Sequence, residues 1–195
     1  MTRTSAWLAC LLAAAALAGC GSSPKTNFYT LSEPAGAARA EAKASPVIAI
    51  AAVNLPEGLD RPQIVLRAGA SQVSFSEFQR WNGPLRDEIA RALAESLRAQ
   101  LGGASVFVYP LSTDVRSGFR LLVDVQRFDS ALGDAVTLEV LWQLSPPKGA
   151  AQTGRSSVRE PAGGAGYDDL VAAHRRALAS VSRDIAAAIR AMQSP

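Results

Sequence analysis

The fold of this 195-residue chain is decided by residues 118–145, GFRLLVDVQRFDSALGDAVTLEVLWQLS. Apolar and polar side chains alternate in both halves of this stretch, at 119–125 and again at 136–144, which is the period of a β-strand with one buried face. Turn residues separate the halves, so the pattern predicts an antiparallel pair. Phe128 falls out of phase with the first half, and we predict a β-bulge or a strand end near Arg127.

Shorter strand patterns flank this pair on both sides. The run VIAIAAV at residues 47–53 is too short for a typical helix and predicts a buried strand. Residues 63–67 and 72–76 alternate across a glycine-containing turn, as in a hairpin. Residues 105–109 predict another strand, and the polar residues 151–158 predict a strand at an edge of the sheet.

Two segments have the periodicity of amphipathic helices. Leucine or isoleucine recurs every four residues from Leu85 to Leu101, after Pro84 and before a Gly-Gly pair that ends a helix. The second segment, residues 167–192, also has apolar side chains along one face, and it begins with an acidic turn that contains Asp168 and Asp169. The sequence therefore predicts an α+β fold, a two-layer sandwich with two long amphipathic helices on a mixed, mostly antiparallel sheet.

The amino terminus has the form of a secretory signal peptide. One basic residue, Arg3, precedes an uncharged apolar run at residues 6–18. Signal peptides carry an apolar run of about 7–15 residues, whereas a spanning helix needs about 20. We therefore predict that residues 1–19 are a lipoprotein signal peptide that is cleaved during export.

The cleavage site is the tetrapeptide Leu17-Ala18-Gly19-Cys20, which has the form of a lipobox. Small residues let a peptidase approach the chain, and the thiol of Cys20 is a nucleophile that can accept a diacylglyceryl group. Stable anchoring needs at least two acyl chains, so we expect diacylglycerol and an N-acyl chain on Cys20. Two other interpretations stay open: an ordinary signal peptide with an unrelated cysteine, and an uncleaved anchor.

The mature chain divides into a tether and one domain. Residues 20–46 are rich in Ser, Pro, Ala, Gly and Glu, and we interpret them as an acylated, flexible tether. The apolar island at residues 28–31 is costly to leave in water, so we expect it to dock on the domain as a short strand. Residues 47–195 then form a single α+β domain without disulfides, because no cysteine follows Cys20.

The sequence contains no recognisable catalytic or metal-binding motif. Its one histidine, His174, lies on the apolar face of the last predicted helix, where a core position is more typical than catalysis. Cysteine and histidine clusters, phosphate-binding loops and nucleophile elbows are missing. With a formal net charge of +3 and no basic stripe, nucleic acid is not an expected partner. We predict no enzymatic activity, no metal and no cofactor beyond the acyl groups on Cys20.

Several short motifs occur in a distinctive order along the mature chain. They are Cys20, Phe28-Tyr29-Thr30-Leu31, Val53-Asn54-Leu55-Pro56, Leu59-Asp60-Arg61-Pro62-Gln63-Ile64-Val65, Trp81-Asn82-Gly83-Pro84-Leu85, Val123-Asp124-Val125-Gln126-Arg127-Phe128-Asp129 and Trp142. Together these motifs, which span nearly the whole mature chain, resemble the PqiC-type auxiliary lipoproteins of ABC-transport systems that carry MCE proteins.

The resemblance implies a periplasmic lipoprotein that is attached to the outer membrane. It further implies a ring-like homo-oligomer that docks the tunnel of an MCE-domain protein, helps lipids pass between membranes and supports membrane integrity. Gly21 follows the acylated cysteine where an aspartate would hold such a lipoprotein at the inner membrane.

Within the resembling motifs, Asp60, Arg61, Pro62 and Trp81 are candidates for partner contact, although loop geometry and packing would also explain these residue types. Two other functions stay open at this point. One is a lipoprotein that scaffolds the envelope without handling lipid, and the other is an exported module that binds a small ligand.

Overall fold

The structure is a computed structural model that describes residues 24–32, 46–109 and 118–193. The strands in these ranges are β1 (Asn27–Tyr29), β2 (Val47–Asn54), β3 (Gln63–Arg67), β4 (Val73–Trp81), β5 (Ser105–Val108), β6 (Phe119–Ser130), β7 (Ala135–Ser145) and β8 (Gln152–Pro161). The helices are α1 (Leu85–Gln100) and α2 (Tyr167–Gln193), with one turn of 3-10 helix at Glu57–Leu59.

The larger sheet has five strands in the order β5-β2-β6-β7-β8. Strands β6, β7 and β8 form antiparallel pairs, as the alternation predicts, whereas β2 runs parallel to both of its neighbours. The register of β6 against β7 shifts between Val125 and Arg127, which confirms the predicted bulge. The polar strand β8 lies at one edge of this sheet, also as predicted.

A second, smaller sheet has the order β1-β4-β3. Strands β3 and β4 form the predicted hairpin, and β1 adds to β4 in parallel. The α+β fold class is confirmed, but the described strands form two mixed sheets where the sequence led us to expect one. The difference arises because a strand pattern indicates which side chains are buried and not which strand will be the neighbour.

Both helices pack against the five-stranded sheet, and they also contact each other. Helix α1 ends where Gly102 and Gly103 take positive φ angles of 68° and 94°, and the Gly103 N–H donates to the Arg98 carbonyl at 2.9 Å. The core between the layers is almost wholly aliphatic. Its largest fully buried side chains are Leu31, Ile48, Ile50, Ile64, Leu85, Ile89, Leu93, Leu97, Leu121, Leu138, Leu144 and Leu170.

The side chains that point away from the helices on β6 and β7 form a row of ion pairs. Asp129 accepts from Arg67 at 2.8 Å and from Arg127 at 2.6 Å, and Arg127 also approaches Glu139 at 3.6 Å. Burial would raise the pKa of Asp129, but the hydrogen bonds from the two guanidinium groups hold it below its usual value. The pair of Arg67 and Asp129 joins the small sheet to the large one.

A close approach between Trp142 and Gly154 fixes the pairing of β7 with β8. The two residues are cross-strand partners, and the indole ring lies over the glycine backbone where a Cβ would stand. The indole Nε1–H donates to the Ser156 hydroxyl at 3.2 Å, and that hydroxyl donates to Asp184 of α2 at 2.6 Å. Strand β8 is thereby tied to the helical layer.

We expect Gly154→Ala to destabilise the domain by about 1–3 kcal/mol, because the new methyl group overlaps the Trp142 ring and forces it out of place. Urea denaturation followed by circular dichroism measures the loss. The matched control is Gly58→Ala, where a Cβ meets nothing within 4 Å and a change within about 0.5 kcal/mol is expected. Equal stability of the two variants would contradict this interpretation of the Trp142 contact.

Candidate functional site

The segment at residues 27–32 lies at the junction of the small sheet and the two helices. Its first three residues form β1, and the Tyr29 ring stacks on Tyr167 of α2 with 5.9 Å between ring centroids. Leu31 is buried in the core. The sequence led us to expect that the whole apolar island docks on the domain, but Phe28 does not, because 63% of its surface is exposed.

A buried carboxylate on α1 holds this segment. Glu88 is only 1% exposed, and it accepts hydrogen bonds from the Thr30 hydroxyl at 2.7 Å and from the Leu31 backbone N–H at 2.8 Å. Arg91, one turn along the helix, supplies the compensating charge at 2.6 Å. A buried carboxylate is costly unless it is paired and hydrogen-bonded, and these three donors meet that need.

Helix α2 completes the attachment from the other side. Arg175 donates to the Thr30 carbonyl at 2.8 Å and, more weakly, to the Ser32 carbonyl at 3.4 Å. We call the set of Thr30, Leu31, Glu88 and Arg175 the Glu88 clamp. It joins a segment near the amino terminus to both helices of the domain.

The sequence contained one signal for this clamp. Glu88 lies three residues after Leu85 and one before Ile89, so it occupies the apolar stripe of α1 where a charge is unexpected. An acidic residue in the first turn is also typical of the positive end of the helix dipole, so the charge by itself does not indicate a buried contact. Its partners are 57 and 58 positions away along the chain, and no local pattern identifies them.

The candidate contact residues lie at the corner between the small sheet and α1. Asp60 forms an ion pair with Arg86, and the Arg61 guanidinium lies 4.7 Å from the centroid of the Phe75 ring. The Pro62 carbonyl accepts the Trp81 N–H at 2.8 Å.

The four residues differ in accessibility. Asp60 and Pro62 are exposed, Arg61 is half-buried, and Trp81 is 3% exposed and packs edge-on against Phe128. The geometry therefore leaves the loop of Asp60, Arg61 and Pro62 available for a partner and places Trp81 in the core. The lipobox residues Leu17, Ala18, Gly19 and Cys20 lie outside the described residues.

The only histidine of the sequence makes one hydrogen bond in the core. Its Nε2 lies 2.8 Å from the Ser130 hydroxyl, and its ring stacks on Phe128 with 4.1 Å between centroids. Burial lowers the pKa of His174 from 6.5 to about 3. No described residue hydrogen-bonds its Nδ1, and the crevice beside Ser130 is too narrow for a water molecule. The pair therefore has the form of a packing contact and lacks room for a substrate.

Other features of a small-molecule site are weak in the described parts of the chain. A cleft of about 210 Å³ lies between α1, β2 and β5, next to Tyr109. Pockets for drug-sized ligands measure about 300–1,000 Å³. Within residues 24–32, 46–109 and 118–193, no three His, Cys, Asp or Glu side chains converge as metal ligands. Neither α1 nor α2 has the length and apolar character needed to span a membrane.

Comparison with known proteins gives a family-level match. The model of the family described as ABC-type transport auxiliary lipoprotein component matches residues 29–186. This range begins within β1 and includes the whole Glu88 clamp. No curated protein sequence matches the chain significantly.

Two solved structures share the fold. A crystal structure of an uncharacterized protein aligns with a TM-score of 0.69 and 22% identity, covering 85% of this chain and 99% of that one. A crystal structure of a Xanthomonas campestris protein of the DUF330 family aligns with a TM-score of 0.56 and 19% identity, covering 82% and 92%. At these identities the likeness concerns the fold alone.

We expect Glu88→Ala to destabilise the domain by about 2–4 kcal/mol, because it leaves the Leu31 N–H and the Thr30 hydroxyl without their acceptor. The Leu31 amide should also exchange its hydrogen faster. Urea denaturation and hydrogen exchange read by mass spectrometry measure the two effects. Glu77→Ala is the control, since Glu77 forms a surface pair with Arg80 at 3.5 Å and its loss should cost less than about 1 kcal/mol. Unchanged exchange at Leu31 in Glu88→Ala would contradict the clamp.

The pKa of His174 predicts a dependence of stability on pH. The unfolded histidine takes up a proton near pH 6.5 and the folded one only near 3, so the unfolded state binds more protons in between. The free energy of unfolding should therefore fall as the pH is lowered from about 6.5, by at most about 1.4 kcal/mol per pH unit. His174→Gln should lose this slope, as urea denaturation at several pH values will show.

Ser130→Ala is the matched control for this experiment. It removes the hydrogen bond to Nε2 but keeps the buried imidazole, so it should be less stable at every pH and retain the slope. Identical slopes in the wild type and His174→Gln would show that other groups cause the pH dependence.

Proposed function

The chain belongs to the family of ABC-type transport auxiliary lipoprotein components, and from this membership we propose that it is a non-enzymatic periplasmic subunit of an MCE-type lipid transport system. In this role it is anchored at the outer membrane and docks the tunnel of an MCE-domain protein, which supports membrane integrity. The observation that carries the proposal is the family match over residues 29–186.

The anchor in this proposal is the acylated Cys20. The lipobox Leu17-Ala18-Gly19-Cys20 supports it, because the sequence supplies both the small residues for cleavage and the thiol for acylation. Gly21 supports sorting to the outer membrane, as it is not the aspartate expected of a lipoprotein retained at the inner membrane. Diacylglycerol and an N-acyl chain together give the two-part attachment that stable anchoring requires.

The interior of the domain is consistent with a protein that acts through contacts on its surface. Four of the five buried polar side chains of the described residues form hydrogen bonds inside the domain, namely Glu88, Ser130, Ser156 and His174. The cleft beside Tyr109 is small. A subunit of this kind acts by holding other proteins in place, and the exposed loop of Asp60, Arg61 and Pro62 is our candidate for the contact with the MCE partner.

We also propose that the chain assembles into a homo-oligomeric ring. Among the described strands, β5 and β8 lie at the two edges of the five-stranded sheet, and an edge strand can pair with a neighbouring chain. Exposed Phe107 and Leu141 lie on this sheet as well. A head-to-tail contact between such different surfaces closes into a ring when the rotation permits.

The two alternatives are weaker on the same observations. A cleft of about 210 Å³ is small for a dedicated ligand receptor. A lipoprotein that only scaffolds the envelope is consistent with the anchor, but it does not account for membership of a transport family. The two alternatives and our proposal differ in the partner that they predict.

The proposal is tested by capture from cells. Tagged wild-type protein, crosslinked in the envelope and purified from membranes, should bring down an MCE-domain protein identified by mass spectrometry. Cys20→Ala should move the protein from the membrane fraction to the soluble periplasm, because the diacylglycerol and the N-acyl chain are both lost. Deletion should sensitise cells to membrane-active compounds.

Arg61→Ala and Arg159→Ala form the matched pair for the partner surface. Each removes one guanidinium that is at least partly exposed, but Arg159 lies on the edge strand β8, where it pairs with Asp134. Arg61→Ala should lower capture by about tenfold if it is a central contact, and Arg159→Ala should not. Capture of only porins or peptidoglycan would refute the transport role, and an unchanged membrane fraction of Cys20→Ala would refute the anchor.

A further inference from the structure

The exposed apolar side chains of the domain are concentrated in the small sheet. Eight large apolar residues are exposed in the described parts of the chain, and half of them are on β1 and β4. These four are Phe28, Val73, Phe75 and Phe78. Strands β1 and β4 together have only twelve residues, so the high share of exposed apolar residues on them is not explained by the length of the strands. A cluster of this kind on a soluble domain marks an interaction surface.

Phe28 and Phe75 share the outer face of the small sheet. In the parallel pairing of β1 with β4, Phe28 is the partner of Arg80, and Tyr29 is the partner of Trp81. Tyr29 and Trp81 point into the domain, so strand alternation places Phe28 and Arg80 on the opposite side. Phe75 lies on the same side as Arg80, because their partners on β3, Val65 and Gln63, are two positions apart. Phe28 is 63% exposed and Phe75 is 49% exposed. We call the surface of Phe28, Phe75 and Arg80 the aromatic face.

Strand β1 and the Glu88 clamp together limit the distance between this face and the proposed acylation site. Eight residue steps separate Cys20 from Phe28, which span at most about 27 Å when fully extended. If neither β1 nor the clamp held this segment, the first fixed residue after Cys20 would be Val47 at the start of β2, and the connecting chain could reach about 90 Å. The attachment of this segment therefore keeps the aromatic face close to the surface that holds the acyl chains.

We propose that the aromatic face lies against the lipid headgroup region of the bilayer into which the acyl chains of Cys20 are inserted. Exposed phenylalanine side chains are stabilised at the boundary between headgroups and acyl chains, because apolar surface is buried there. Exposed Lys25, three residues before Phe28, adds a positive charge that favours anionic headgroups. The domain is then held in one orientation on the membrane. The inference rests on the proposed acylation of Cys20.

Tryptophan reporters test the orientation. The probe is the lipidated full-length protein in vesicles of phosphatidylethanolamine and phosphatidylglycerol, whose acyl chains carry bromine near the carbonyl end. Phe28→Trp should lose about half or more of its added emission in these vesicles relative to unbrominated ones, because bromine quenches tryptophan at the interface. The native Trp81 and Trp142 are buried, and wild-type protein measures their contribution.

Phe75→Trp and Leu141→Trp make a pair of similar exposure, since the native residues are 49% and 41% exposed. Phe75 belongs to the aromatic face, whereas Leu141 points outward from β7 in the large sheet. We expect quenching at position 75 and none at 141. Unfolding midpoints close to the wild type will show that the variants fold.

Three results would overturn the inference. Equal quenching at positions 28 and 141, or none at either, means that the domain has no fixed orientation. A tryptophan at position 28 that is already shielded in detergent and unaffected by vesicles means that a second copy of the chain covers the face. Mass spectrometry of the same sample reports the acyl groups, so failure of the anchor, which would refute the proposed function too, is distinguished from failure of the orientation alone.

Discussion

The structure depends on one buried carboxylate. Glu88 lies in the apolar stripe of α1 and is stable there only because Thr30, Leu31 and Arg91 surround it with donors. The same contacts that satisfy Glu88 attach the amino-terminal segment, which then supplies the third strand of the small sheet. A charged residue in the apolar stripe of α1, Glu88, thus determines where the segment nearest the proposed anchor is fixed.

Attachment of this segment gives the domain two distinct outer surfaces. The helices cover one side of the five-stranded sheet, and the other side carries the row of ion pairs that includes Asp129 and Arg127. The small sheet, joined to the large one through Arg67, presents aromatic side chains a few residues after the proposed acylation site. A lipoprotein subunit of a transport system must meet both a membrane and other proteins, and separate surfaces allow both contacts at once.

The polar groups inside the domain contribute to packing. His174 stacks between aromatic rings and shares one hydrogen bond with Ser130, and Trp142 is linked through Ser156 to Asp184. In each case a polar side chain joins a strand to the last helix, so the hydrogen bonds fix the position of the helix on the sheet. Burial keeps the imidazole neutral across the physiological range, since its pKa falls to about 3.

The sequence by itself determined the strand and helix segments and the bulge near Arg127, because these depend on local periodicity. The export signal rests on a short contiguous motif and stays a prediction. Family membership also followed from motifs along the chain. Only the tertiary structure decided that β1 joins the hairpin in a separate sheet, that β2 runs parallel to its neighbours, and that Glu88 meets Leu31. Periodicity records which side chains avoid water, whereas pairing joins residues tens of positions apart, and its outcome depends on the shape and polarity of the whole assembled core.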